Sequence, residues 1–157
     1  MVDGFLVSIA FLIWFVIFFG VYFIAAYILW RVGRKFGVGS YLQYLIPIWN
    51  VFLLCDCAKI TRWVTVAVVA PGLVLWPLAK LGISITPPFF ENAAAFVTYL
   101  GTAYIWGNIA GRFGKNPWLW GILTPILFFI PALILAFGDS MPFEGGPKGQ
   151  GGRYIDV

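Results

Sequence analysis

Charged and apolar positions are sharply segregated along the chain. From Gly4 to Trp30 there is no charged side chain, and the run is bounded by Asp3 before it and by Arg31, Arg34 and Lys35 after it. About 20 helical residues cover the hydrocarbon of a bilayer, so this run predicts a membrane-spanning helix. A cleavable signal peptide carries its positive charges ahead of a shorter apolar stretch. Here the charges follow, which predicts a retained anchor. Three further runs are long enough to span: Trp63 to Leu81, Ala93 to Gly111 and Trp118 to Phe137. Pro71, Pro77, Pro125 and Pro131 lie inside two of them and predict kinks, which neighbouring helices in a membrane accommodate.

Tyr41 to Ala58 is apolar enough to touch lipid yet contains Gln43, Pro47, Asn50 and Asp56. On a helix Gln43, Pro47 and Asn50 fall near one stripe. The proline would free the Gln43 carbonyl, an acceptor for an amide such as that of Asn50, so Pro47 and Asn50 are predicted to form a structural turn. A bent interfacial or re-entrant helix fits this segment better than a fifth span, with Gly37, Gly39 and Ser40 turning the chain into it. The predicted fold is therefore an all-α integral membrane helical bundle over residues 1–139, with four transmembrane helices plus one interfacial or re-entrant helix.

Composition agrees with a bilayer as the solvent: 62% of residues are apolar and only 10% charged, against about a quarter charged in soluble domains. The net charge of +4 does not point to nucleic acid, because the Lys and Arg side chains sit at the ends of apolar runs instead of clustering on a solvated face. With four spans, Arg31, Arg34, Lys35, Lys59, Arg62, Arg112 and Lys115 share one side, and Asp3, Glu91, Asp139, Glu144 and Asp156 the other. The positive-inside rule makes the first side cytoplasmic and puts both termini on the non-cytoplasmic side. Residues 140–157 are rich in Gly and Pro and are predicted to be a flexible tail. Their last residues, Arg153 to Val157, are a candidate docking peptide, and no internal repeat stands out.

Candidate chemistry is sparse. The chain has no histidine, which removes the commonest general base and the usual haem and zinc ligand, so no cofactor is expected. Cys55, Asp56 and Cys57 do not complete a tetrahedral zinc site and are predicted to be unreactive buried or interfacial groups, palmitoylation being a minor alternative. Lys80 and Ser84 have the spacing of a Ser/Lys pair, but nothing nearby supplies an oxyanion hole, and a snorkelling lysine is the plainer reading. Thr65, Thr98, Thr102, Asn108 and Thr124 within the runs are predicted to hydrogen-bond between helices. No charge lies mid-run, which argues against an ion-coupled transporter. Ala103, Gly107 and Gly111 recur every four residues and predict close helix packing. Trp30, Trp49, Trp63, Trp106, Trp118 and Trp120 fit an interfacial belt.

The run from Leu45 to Val51 (Leu-Ile-Pro-Ile-Trp-Asn-Val), then Ile60 to Trp63, then Gly111 to Lys115 with its Phe113-Gly114-Lys115, and finally Pro131 to Asp139 resemble an uncharacterised family of small multi-spanning membrane proteins. That module also precedes the catalytic domain of some bacterial signal peptidase I proteins. Trp49 stands where tyrosine is usual, the stretch around Pro87 to Phe90 is extended, and no peptidase domain follows. The resemblance implies a bacterial or archaeal plasma (inner) membrane address. Together with the missing catalytic residues it predicts a non-enzymatic subunit of a larger complex, whose partners are the lipid bilayer and other membrane-protein subunits, with no nucleic acid. The alternative is a small channel, carrier or lipid-handling protein with Asn50 and Asn108 lining its path.

Overall fold

The computed structural model describes residues 2–80, 88–127 and 129–143, and these are all-α, with no strand among them. The helices are α1 (Val2–Lys35), α2 (Tyr41–Tyr44), α3 (Pro47–Ala58), α4 (Trp63–Lys80), α5 (Pro88–Arg112), α6 (Pro117–Ile126) and α7 (Phe129–Phe137). Among the described residues α1 alone is long and apolar enough to cross a membrane, over Val7–Lys35. At 1.5 Å per residue its 34 residues reach about 50 Å.

The ends of α1 and α5 meet. Each stops in the same device: Gly37 and Gly114 take φ of +66° and +71°, and the amide two residues beyond the last helical residue's successor closes back on the helix, Val38 on the Gly33 carbonyl at 3.0 Å and Lys115 on the Ala110 carbonyl at 2.9 Å. Only glycine adopts this left-handed conformation without strain, so it ends a helix whose side chains would let it continue. The Phe36 and Phe113 rings, just before these glycines, stack edge-on with centroids 5.0 Å apart.

From this junction the chain makes two short helical hairpins. In the first, α2 climbs beside α1, where Tyr41 meets Tyr27 and Trp30, and its end is held by the Tyr22 hydroxyl, which donates to the Leu45 carbonyl at 2.6 Å. Pro47 then opens α3, which leads back to the junction and stops at Lys59, itself left-handed at φ +54°. Pro47 is thus the first residue of a helix and not a kink within one. The Gln43 carbonyl accepts from Ile46 N–H at 3.3 Å, and Asn50 N–H bonds the Ile46 carbonyl at 2.9 Å, so the predicted Gln43–Asn50 contact is replaced by a break between two helices.

The second hairpin corrects the sequence reading more deeply. Residues 118–137 are two helices, α6 and α7, separated at Leu127, not a single span. Starting from Asn116, which caps the Trp118 and Leu119 amides with its side chain, α6 runs back along α5 until the Ile122 carbonyl receives the Tyr99 hydroxyl. The return helix α7 ends beside the end of α1, where Arg31 lies over the Phe137 ring at 4.9 Å. Asp139 therefore lies beside the end of α1 that carries Arg31, Arg34 and Lys35. The ordered chain also continues past 140: Pro142 and Phe143 are buried, and Phe143 N–H donates to the Arg112 carbonyl at 2.8 Å. Ser84 and residues 144–157 lie outside the described residues, as does the side chain of Lys80.

Between the hairpins α4 leads away from the junction and α5 leads back, with Gly101 against Val68. The core gathers at the junction, from Val32, Cys57, Ile109, Leu135 and their neighbours. The outer half of α1 takes no part in it. The consecutive residues Phe15, Val16, Ile17 and Phe18 are 53%, 60%, 51% and 67% exposed, and at about 100° per residue they point in four different directions around the helix.

Candidate functional site at the helix junction

Two cations occupy the junction. Arg112, the last residue of α5, is only 7% exposed; its guanidinium donates through an η nitrogen to the Cys57 carbonyl near the end of α3 and lies 4.6 Å from the centroid of the Phe36 ring. Its Nε, also buried, has no hydrogen-bond partner. Lys35, the last residue of α1, donates through Nζ to the Leu135 carbonyl at 2.9 Å, to the Gly138 carbonyl, and to the Ser140 carbonyl at 3.4 Å. It also sits 5.6 Å from the Phe113 ring centroid. Helix C-termini leave their last carbonyls unsatisfied and carry partial negative charge, so a cation there is stabilised without a carboxylate. The ion pair of Arg62 with Asp56, at 2.9 Å, is on the exposed rim.

Both cysteines are buried close to this junction. The Tyr44 hydroxyl donates to the Val38 carbonyl at 3.2 Å and lies 3.7 Å from Cys57 Sγ, while Cys55 Sγ lies 3.4 Å from the Thr65 hydroxyl. Burial pushes the Cys57 thiol up to about 12, against the opposing pull of the Tyr44 hydroxyl and the Arg112 guanidinium. A thiol held protonated is a poor nucleophile and a poor metal ligand. Among the described residues no three His, Cys, Asp or Glu side chains come together. The arrangement of Tyr44, Cys57 and Arg112 joins helices and presents no activated group.

The small-residue stripe faces α6. A β-carbon on Gly107 would meet the Pro117 carbonyl oxygen at 2.8 Å, and one on Gly121 would meet the Ala103 carbonyl oxygen at 2.7 Å, so the two backbones touch through Gly107 and Gly121. Gly111, one turn on, has only ordinary contact with Pro117, at 3.7 Å. Beside this seam lies an apolar groove of about 770 Å³, lined among others by Tyr99, Tyr104, Asn108, Trp118 and Ile122. Asn50 is not part of that lining, so the two asparagines are not brought together.

Other predicted groups sort differently from expectation. Thr98 reaches across to the Val68 carbonyl, at 3.5 Å, and Thr65 pairs with Cys55. Thr102, Asn108 and Thr124 instead bond the carbonyls of Thr98, Tyr104 and Trp120 four residues back in their own helices. Trp63 and Trp118 are about four-fifths exposed, as a belt requires, at 78% and 80%, but Trp106 is a core residue. Of the motif Phe113-Gly114-Lys115, Phe113 stacks in the junction, Gly114 turns the chain and the Lys115 amide closes that turn. Lys35, Phe36 and Arg112 escaped the sequence reading as a site because each looked like an ordinary flanking residue of an apolar run. The recurrence of a cation, phenylalanine and glycine at 35–37 and 112–114 was the signal available.

No family model matches the chain, and no curated protein or solved structure matches it.

Two outcomes follow for the seam and the thiol. Gly107→Ala should destabilise the protein by about 1–3 kcal/mol through overpacking, whereas Gly111→Ala should be neutral or stabilising by up to about 1 kcal/mol, read from unfolding in mixed micelles. For Cys57 the folded value lies above the ordinary 9.0, so between 9 and about 12 the unfolded chain loses a proton that the folded chain keeps. Its contribution is present in full below pH 9 and is lost as pH rises toward 12. The stability difference between wild type and Cys57→Ala should therefore shrink by on the order of 1 kcal/mol per pH unit above pH 9, and a flat difference would refute the assignment.

Proposed function

We propose that this protein is a non-catalytic subunit of a larger assembly in the plasma (inner) membrane, held by three long helices, α1, α4 and α5, and two re-entrant hairpins. The observation that carries this reading is the outer half of α1, apolar and exposed on every side. In water such a helix would expose far more contiguous apolar surface than soluble monomers carry; lipid or the apolar flank of a neighbouring span removes that penalty. Charge supports the same cytoplasmic side as in the four-span arrangement. Arg31, Arg34, Lys35, Lys59, Arg62, Arg112 and Lys115 all cluster toward the junction end, which the positive-inside rule makes cytoplasmic. The N-terminus is then outside, and residue 143 is inside.

The two hairpins reach only part of the way across. At 1.5 Å per residue the 10 residues of α6 and 9 of α7 measure about 15 Å each, half the hydrocarbon thickness. The family resemblance noted above supports a membrane address and no activity. A channel or carrier needs a path, and repeated membrane units commonly place one between them. Here the space between the hairpins is filled by Val32, Phe36, Cys57, Ile109, Phe113 and Leu135, which favours the subunit reading.

Purification of the tagged protein from its native membrane in mild detergent, with mass spectrometry of what accompanies it, should yield a stoichiometric partner set; a stable lone monomer would sink the subunit reading. Orientation has its own test. In a Cys55→Ala, Cys57→Ala background, Asp3→Cys and Ser140→Cys should react with an impermeant maleimide from opposite faces of the membrane. Labelling of both from one face would reject three spans.

A further inference from the structure

The two hairpins correspond residue by residue at their start. Lys35, Phe36 and Gly37 match Arg112, Phe113 and Gly114; Tyr41 and Leu42 match Trp118 and Leu119 at the same spacing; and Pro47 and Ile48 match Pro125 and Ile126 after one extra residue. The matched glycines are both left-handed, and the matched turns make the same bonds: Gly37 N–H to the Arg34 carbonyl and Gly114 N–H to the Gly111 carbonyl, both at 3.0 Å. In both units the segment that follows is a short helix, a break and a second short helix that returns to its starting end.

The contacts between the units are reciprocal. The cation of the first unit, Lys35, lies on the ring of Phe113 and on carbonyls at the end of the second unit's return helix, at Leu135, Gly138 and Ser140. The cation of the second, Arg112, lies on the ring of Phe36 and on a carbonyl at the end of the first unit's return helix, at Cys57. The Phe36–Phe113 stack sits between them. Independent helix ends have no reason to exchange partners in both directions. Two copies of one unit around an approximate two-fold axis do so by symmetry.

We propose that residues 33–59 and 110–140 are two copies of one re-entrant unit and that Lys35 and Arg112 are crossed latches, each holding the other copy's hairpin closed. A hairpin is then released from the far unit and not from its own. Loss of Lys35 frees the end of α7 together with the 138–143 arm, and loss of Arg112 frees the end of α3. The glycine turns after each cation are the points about which a released hairpin moves, since Gly37 and Gly114 carry no side chain against their neighbours' backbone and Gly37 has open space around it. This inference needs no partner protein and stands whether or not the chain is a subunit.

Hydrogen exchange read by mass spectrometry on the full chain in lipid nanodiscs tests the crossing. Lys35→Met should raise exchange about tenfold in peptides covering 134–143 and leave 53–60 within twofold of wild type, and Arg112→Met should do the reverse, a scale set by removing one charge-assisted bond. The proposal is overturned if each variant loosens its own hairpin, 41–58 for Lys35→Met and 117–137 for Arg112→Met, or if both loosen both regions equally. The exchanged pair Lys35→Arg with Arg112→Lys keeps a cation at each latch. It should fold and hold both regions within about threefold of wild type, a range well inside the loss of one bond; failure to assemble, or a tenfold rise at either site, would equally overturn the proposal.

Discussion

A cation from the end of a long helix, set against the open carbonyls of a short one, is the interaction on which this structure depends. The hairpin helices, of 4 to 12 residues, are too short to be stable alone, since isolated helices below about 12–15 residues are marginal even in water. Their C-terminal carbonyls lie in surroundings that are buried at α3 and partly buried at α7, where an unsatisfied carbonyl costs up to about a lost hydrogen bond. Lys35 and Arg112 supply donors and positive charge at those two places. At α3 Arg112 adds to the stop already made by the left-handed Lys59, and at α7 Lys35 joins three carbonyls at and beyond the helix end.

Seating the hairpins is then a matter of close approach, solved differently in each. In the first, the Tyr44 side chain lies where a β-carbon on Gly33 would be, and its hydroxyl reaches Val38 and Cys57. In the second, Gly121 stands at the position matched to Tyr44, and the approach is backbone to backbone, Gly107 against Gly121. A large side chain into a notch and a seam without side chains both bring a short helix against a long one, which is why the two units look less alike in composition than in geometry.

The same junction explains the absence of visible chemistry around the cysteines. Cys55, Asp56 and Cys57 are where a reader of the sequence would look for reactivity, yet the Cys57 thiol is kept protonated by its burial and the proton of the neighbouring Tyr44 phenol is directed at a carbonyl. The nearby guanidinium is committed to the Cys57 carbonyl. What remains available to a partner is the outside of the molecule: the outer half of α1, the apolar groove beside α6, and the exposed tryptophans 63 and 118.

Much was legible in the residue pattern, for a physical reason: composition alone decides which segments prefer an apolar solvent. The first apolar run, the all-α class, the break near Pro47 and the close packing of Gly107 can be read from local sequence, because each rests on residues within one or two turns of one another. The direction of α7 cannot. An apolar run of 20 residues from 118 to 137 is compatible with one helix that crosses and with two that turn back, and Pro125 permits either. In the folded chain the returning end meets Lys35, more than 100 positions away from the Gly138 and Ser140 carbonyls that it holds. Hydropathy measures the solvent a segment prefers and carries no information on which end of it a distant cation will meet; that contact exists only once the two units are folded against each other.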